Sequence, residues 1–254
     1  ASNLVAGDTN NTSDVFVKEL STGILTRVST DSSGTQSNEQ SSFPSISSDG
    51  KFVVFQSYAS NLVAGDTNNT VDVFVKDLST SVIGAASGPP ETNQLGGNSD
   101  SYSPSISSNG KFVAFHSYAS NLVAGDTNNT SDVFVKELST GILTRVSTDS
   151  SGTQSNEQSS FPSISSDGKF VVFQSYASNL VAGDTNNTVD VFVKDLSTSV
   201  IGAASGPPET NQLGGNSDSY SPSISSNGKF VAFHSYASNL VAGDTNNTSD
   251  VFVK

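Results

Sequence analysis

One run of oxygen-bearing side chains recurs five times in the chain: Gly-Asp-Thr-Asn-Asn-Thr-x-Asp. Its alternate positions are Asp8, Asn10, Thr12 and Asp14 in the first copy, and Asp66, Asn68, Thr70 and Asp72 in the second. They recur as Asp126, Asn128, Thr130 and Asp132, as Asp184, Asn186, Thr188 and Asp190, and as Asp244, Asn246, Thr248 and Asp250. A loop wrapped around a hard cation supplies side-chain oxygens at this spacing, and calcium takes roughly six to eight of them at about 2.3–2.6 Å. These residues are therefore the candidate ligands, and Ca2+ is the candidate cofactor, with affinity expected on the order of 0.1–1 mM. The five aspartate pairs make up 10 of the 24 acidic residues, so the acidity of the chain concentrates here. The glycine that an EF-hand carries at its sixth position is missing, and the acid at the twelfth (Glu19, Asp77) falls in an expected strand. The same residue types also build Asx-turns that lead a loop into a strand. On sequence, both readings stand.

Other chemistry is sparse. The two histidines, His116 and His234, have glutamines, Gln56 and Gln174, at the equivalent positions of the neighbouring repeats. A residue that exchanges with an amide reads as a polar strand residue and not as a catalytic base. No Gly-x-Ser-x-Gly elbow, P-loop or dinucleotide glycine pattern occurs. With no cysteine there is neither a disulfide nor a thiolate metal site. Sequons such as Asn68-Asn69-Thr70 matter only on a glycosylating route. A formal charge of −13 disfavours nucleic acid and anionic membranes, which both need basic surfaces. No apolar run nears the roughly 18 residues of a membrane span. The expected location is secreted or periplasmic.

The elements that must hold these loops follow from the repeats. The segment Ala-Ser-Asn-Leu-Val-Ala-Gly-Asp-Thr-Asn-Asn-Thr starts at Ala1, Ala59, Ala119, Ala177 and Ala237, so the spacing alternates between 58 and 60 residues. Residues 1–118 recur unchanged as 119–236, and 237–254 repeat 1–18. The chain is one repeat array, 1–254, of two double units and a partial third. Such identity implies recent amplification or deliberate engineering. Within a unit, Pro44–Ser47 reads as a short strand and Asp49-Gly50 as a tight turn. Lys51–Ser57 is apolar on both faces, which suits a strand covered on both sides. After the polar loop, Asp72–Leu78 is a third strand, and Ile24–Ser29, or the weaker Val82–Ala86, is a fourth. The long linkers Asp31–Ser42 and Gly88–Ser103 lead to the next unit. Phe52, Phe55, Phe74, Phe112, Phe115 and Phe134 fall on strands and are expected in the core.

A four-stranded antiparallel meander of this size cannot bury both faces alone; repetition lets each sheet pack on its neighbours. The expected fold is all-β, a β-propeller of four-stranded blades of about 58–60 residues. The runs Pro44-Ser-Ile-Ser-Ser-Asp-Gly-Lys-Phe-Val-Val-Phe55 and Asp72-Val-Phe-Val-Lys-Asp-Leu-Ser-Thr80 resemble the blades of bacterial TolB-type propellers. The resemblance covers nearly the whole chain, although the units are longer and far more alike than is usual there. It implies a propeller that serves scaffolding, protein binding or, rarely, catalysis. TolB-like lyases with metal-bound histidines are among its implications, but two histidines 118 residues apart make no such cluster.

The third strand type occurs five times and the others four times each, which leaves one surplus strand. A larger ring, of six to eight blades, closed by further repeats or by a second chain, is therefore expected. The long loops and linkers share one acidic face, the expected surface for a protein or glycan partner. Three functional readings remain: a non-catalytic scaffold or binding module, a symmetric propeller with no specific ligand, and a polysaccharide lyase or hydrolase. Repeated sites favour multivalent binding or pure structure over an active site, which is normally unique.

Overall fold

The computed structural model describes residues 4–89, 96–207 and 214–254. The middle of the linker expected at Gly88–Ser103, and its later copy, thus lie outside the described residues.

The described strands form five antiparallel sheets in chain order. The first has two strands, β1 (Phe16–Lys18) and β2 (Leu25–Arg27). Three complete blades follow. The first of them holds β3 (Ser41–Ile46), β4 (Phe52–Ser57), β5 (Asp72–Asp77) and β6 (Ile83–Ala85). The second holds β7 (Ser101–Ile106), β8 (Phe112–Ser117), β9 (Asp132–Glu137) and β10 (Leu143–Arg145). The third holds β11 (Ser159–Ile164), β12 (Phe170–Ser175), β13 (Asp190–Asp195) and β14 (Ile201–Ala203). The last sheet has three strands, β15 (Ser219–Ile224), β16 (Val231–Ser235) and β17 (Asp250–Val253). The third strand type thus appears five times and the others four times, as the sequence requires.

Strand pairing follows the pleat. In the first complete blade Phe55 opposes Phe74 and Ser57 opposes Asp72. The Phe55 and Phe74 rings lie 5.9 Å apart and are fully buried, and the pair recurs as Phe115–Phe134 and Phe173–Phe192. Burial of each such ring is worth roughly 1.5–3 kcal/mol. Valines beside them face the neighbouring sheet. Val73 shares a cluster with Ile106 and Val113 of the next blade, so the core lies between blades and not within any one of them.

Two turns show why the sequence specifies this stacking. At Asp49-Gly50 the Asp49 Oδ1 accepts from Ser47 Oγ at 2.7 Å and from Lys51 N at 3.0 Å. Its glycine has φ +70°, and a Cβ on the equivalent Gly168 would lie 2.2 Å from Cδ2 of Phe112 in the preceding blade. Glycine is needed there for its conformation and also for the close approach of two blades.

The first strand of each blade starts earlier than expected, at Ser41 and not Pro44, because a bulge interrupts it. The register shifts between Ser42 and Ser45, with Phe43 at φ 51° before Pro44. Ser103, Phe161 and Ser221 repeat this left-handed conformation. A bulge lets a proline, which has no N–H, sit within a paired strand. The four bulges line one cavity of about 240 Å³ at the centre of the array.

Lysines on the third strands tie blades together. Lys76 Nζ donates to Thr30 O (3.0 Å), Thr30 Oγ1 (3.2 Å) and Asp31 O (2.8 Å) in the preceding linker, and Lys194 repeats this. At the alternate junction Lys136 donates to Gly88 O at 3.2 Å.

Candidate functional site

The Asp-Asn loops come in two kinds, distinguished by the residue before the second aspartate: Ser13, Ser131 and Ser249, or Val71 and Val189. All five share an Asx-turn. Thr12 N donates to Asn10 Oδ1 at 3.1 Å, and Thr70, Thr130, Thr188 and Thr248 do the same with Asn68, Asn128, Asn186 and Asn246. The residue between them takes the left-handed conformation, with φ of 54–57° at Asn11, Asn69, Asn129, Asn187 and Asn247. The asparagine amide then turns inward. Asn68 Nδ2 donates to Asp72 Oδ2 (2.8 Å) and to Gly97 O (3.0 Å). Three of the four candidate positions are thereby engaged in the turn itself. The hydroxyl Oγ1 atoms of Thr12, Thr70 and Thr188 are buried without a hydrogen-bond partner.

The aspartates are what the structure brings together, and their surroundings differ between the two kinds. In the Ser-type loops a glutamine from the following linker sits between the pair. Gln36 Nε2 donates to Asp8 Oδ1 (2.9 Å) and Asp14 Oδ2 (2.8 Å). Gln154 does the same to Asp126 (2.9 Å) and Asp132 (2.7 Å). Ser29 and Ser37 hydroxyls donate to the remaining oxygen of Asp14, at 2.6 and 3.0 Å. An arginine completes the set in the third loop. Arg145 Nη1 stands 3.7 Å from both Asp126 and Asp132, with its side chain only 12% exposed. Burial raises the Asp126 carboxyl, and its bond from Gln154 and the charge of Arg145 oppose that rise.

In the Val-type loops the equivalent residues are gone. The shared bonds of Asn38 to Asn61 and of Asn98 to Asn121 align the linkers, so Gly96-Gly97 stands where Gln36-Ser37 stands. Register places Ala85 opposite Phe74 just as Arg27 lies opposite Phe16. Asp72, buried, accepts from Ser87 Oγ at 2.7 Å and from Asn68. Among the described residues no cationic side chain forms an ion pair with Asp66 or Asp72. Burial, reinforced by the charge of Asp66, pushes the Asp72 carboxyl up to about 6 against the bonds from Asn68 and Ser87. Asp190 behaves alike beside Asp184 and is also pushed up to about 6. A Cβ on Gly96 would lie 2.5 Å from the Asp72 oxygens, so glycine backbone occupies the place of the glutamine.

The fifth loop keeps its turn, with Asn246 Nδ2 2.8 Å from Asp250 Oδ2. Among the described residues no three His, Cys, Asp or Glu side chains gather as a metal site. A cation at a Val-type loop would have two carboxylates and would need backbone carbonyls or water for the rest.

The histidines sit elsewhere. His116 is buried, its Nδ1 accepts the N–H of Phe161 at 3.4 Å, and burial lowers it to about 4. Gln56 and Gln174 accept Ser103 N and Ser221 N in the same way, both at 2.9 Å. This position holds the bulge of the next blade, which explains why histidine and glutamine exchange there.

Stacked four-stranded meanders, packed face to face about a shared central cavity, decide the architecture. The fold is a β-propeller. No protein-family model and no curated protein matches the sequence. Among solved structures the propeller is similar to TolB from Acinetobacter baumannii, at 14% identity and a TM-score of 0.53, over 95% of this chain and 46% of that one. It is also similar to an oligogalacturonate lyase in complex with manganese, at 12% identity and a TM-score of 0.52, over 94% of this chain and 58% of that one. A prolyl endopeptidase is matched at 11% identity and a TM-score of 0.50, over 95% of this chain and 33% of that one. The propeller thus spans about half or less of the length of two of these proteins and under two thirds of the third. At such identities the likeness establishes the fold.

Proposed function

We propose that this propeller is a non-catalytic scaffold or binding module whose loop-rich acidic face presents the same groups several times over. The observation that carries this reading is the repetition of exposed aromatic side chains beside the acidic loops. Tyr58, Tyr118, Tyr176 and Tyr236 occupy equivalent positions at the ends of the second strands, each 43–55% exposed. Tyrosine offers a protein or glycan partner a rigid apolar face with a polar tip. Identical subsites on a rigid array suit multivalent capture, in which each added contact becomes intramolecular. Of the two histidines, which a lyase could use as base, His116 is buried and accepts a backbone N–H. A secreted or periplasmic location belongs to the same proposal. Incubation with acidic polysaccharides and analysis of chain length tests it: unchanged length supports a binding module, and depolymerisation contradicts it.

A second reading concerns calcium. The Val-type pairs, Asp66/Asp72 and Asp184/Asp190, are the loops to which we assign it. The specific observation is the loss there of the glutamine amide that bridges Asp8 and Asp14 and of the arginine that stands beside Asp126 and Asp132. An uncompensated buried carboxylate pair gains most from a bound cation.

A further inference from the structure

Each junction between complete blades carries a pocket, and a third-strand lysine lines each pocket. Lys136 lines one of about 420 Å³ between the first and second blades, and Lys194 one of about 680 Å³ between the second and third. Their ammonium groups are held differently. Lys194 Nζ spends its protons on Thr148 O (2.9 Å), Thr148 Oγ1 (3.1 Å) and Asp149 O (2.8 Å), and the residue is 4% exposed. Burial lowers its ammonium, and the charge of Asp149 opposes that. Lys76 is held in the same way by Thr30 and Asp31 and is equally buried.

The linker that meets Lys136 differs. Val146-Ser147-Thr148-Asp149 corresponds to Ala86-Ser87-Gly88-Pro89, as the matching bonds of Val146 N to Val133 O and of Ala86 N to Val73 O show. Glycine brings no hydroxyl and proline no charge. Among the described residues Lys136 Nζ donates to Gly88 O alone, at 3.2 Å, and forms no ion pair. The residue is only partly buried, so its amine is within reach of a small molecule. Phe52, Val75 and Leu138 give the pocket apolar walls, and Gly84-Ala85 stands where Thr144-Arg145 lines the other. The carboxylate of Asp77 also lines it but is engaged by Ser79 and Thr80. Burial lowers the Lys136 ammonium and so favours the neutral amine, which is the nucleophile.

We propose that Lys136 is a nucleophilic lysine that captures a small aliphatic aldehyde as an imine in this interblade pocket. The Nζ lone pair attacks the carbonyl carbon to give a carbinolamine. The former carbonyl oxygen then leaves as water with the two protons of the amine, and a C=N bond remains. The apolar walls take the aliphatic chain, and the volume falls within the usual range of small-molecule pockets, about 300–1,000 Å³.

The folded chain is incubated at pH 7 with butanal and cyanoborohydride, which fixes the imine as a secondary amine, and the modified lysines are located by peptide mapping. Residues 112–145 occur once in the sequence, so the Lys136 peptide is distinguishable. The proposal predicts a several-fold excess of label at Lys136 over Lys76 and Lys194, and over Lys51 and Lys169, whose side chains are 61% and 63% exposed. The excess should vanish in the urea-unfolded chain. Labelling that ranks Lys51 and Lys169 first, or leaves Lys136 level with Lys76 and Lys194, overturns the proposal. An excess that survives unfolding does so too, because the pocket would then play no part.

Discussion

The Ser-type and Val-type loops share their turn, their asparagine and both aspartates, yet they are electrostatically different objects. In the first and third loops, both Ser-type, the following linker returns a glutamine amide to both carboxylates, and Arg145 adds a cation to one of the pairs. In the Val-type loops a glycine backbone fills the glutamine's place and alanine replaces arginine. An identical motif is thus bridged by a side-chain amide in one setting and left in the other as an unbridged acidic pair whose second member is buried. A motif's chemistry is decided by what folds against it.

Removal of the internal cation should have the largest effect. Arg145→Ala strands Asp126 and Asp132 beside one another, and loss of one partner of a buried pair costs about 3 kcal/mol. Urea unfolding at pH 7 measures this; a change below about 1 kcal/mol would mean that glutamine alone suffices. The reverse difference appears in pH dependence. Asp72 and Asp190 have folded-state values near 6, above the ordinary 3.8, so the folded protein takes up protons first. Their contribution to stability therefore grows as pH falls from about 6 towards 4 and is lost as pH rises through the same window. The two sites together should be worth on the order of 2 kcal/mol between pH 7 and 5. In Asp72→Asn with Asp190→Asn, melting should lose that part of its pH response; an unchanged response contradicts the assignment.

Gly96→Ala should cost about 1–3 kcal/mol, because its Cβ would press on the Asp72 carboxylate. Gly84→Ala, with open space around it, should cost less, and equal losses would refute the close approach. The junctions between blades differ in the same alternating way. Lys76→Met removes the donor to three oxygens and should cost about 1–2 kcal/mol more than Lys136→Met, which removes the donor to Gly88 O. The smallest effect is His116→Gln, expected within about 0.5 kcal/mol, since Gln56 and Gln174 already serve that position. A large loss there would reopen a functional role for the histidine.

Much of the architecture is written in local pattern. The doubly apolar Phe52–Ser57 strand, the Asp49-Gly50 turn and the alternation of 58 and 60 residues each signal themselves within a few residues. The bulges do not, because the left-handed Ser103 and Phe161 are each held by a side chain of the preceding blade, Gln56 and His116, far away in sequence. The site was half legible. Its aspartates stand out by spacing, whereas Gln154 and Arg145 lie in a linker and a short strand further along the chain. The signal for them was present in the alternation itself: the loops are constant while Gln-Ser becomes Gly-Gly and Arg becomes Ala. Only a fold that returns the linker to the loop gives that exchange a meaning.

The most direct test of this account is calorimetric titration with calcium of the unmodified chain, of Asp66→Asn with Asp184→Asn, and of Asp8→Asn with Asp126→Asn. The account predicts binding on the order of 0.1–1 mM that disappears in the first variant and persists in the second. Equal loss in both variants, or binding that depends on Asp8 and Asp126 alone, would contradict it, as would the absence of any calcium-dependent heat in the unmodified chain.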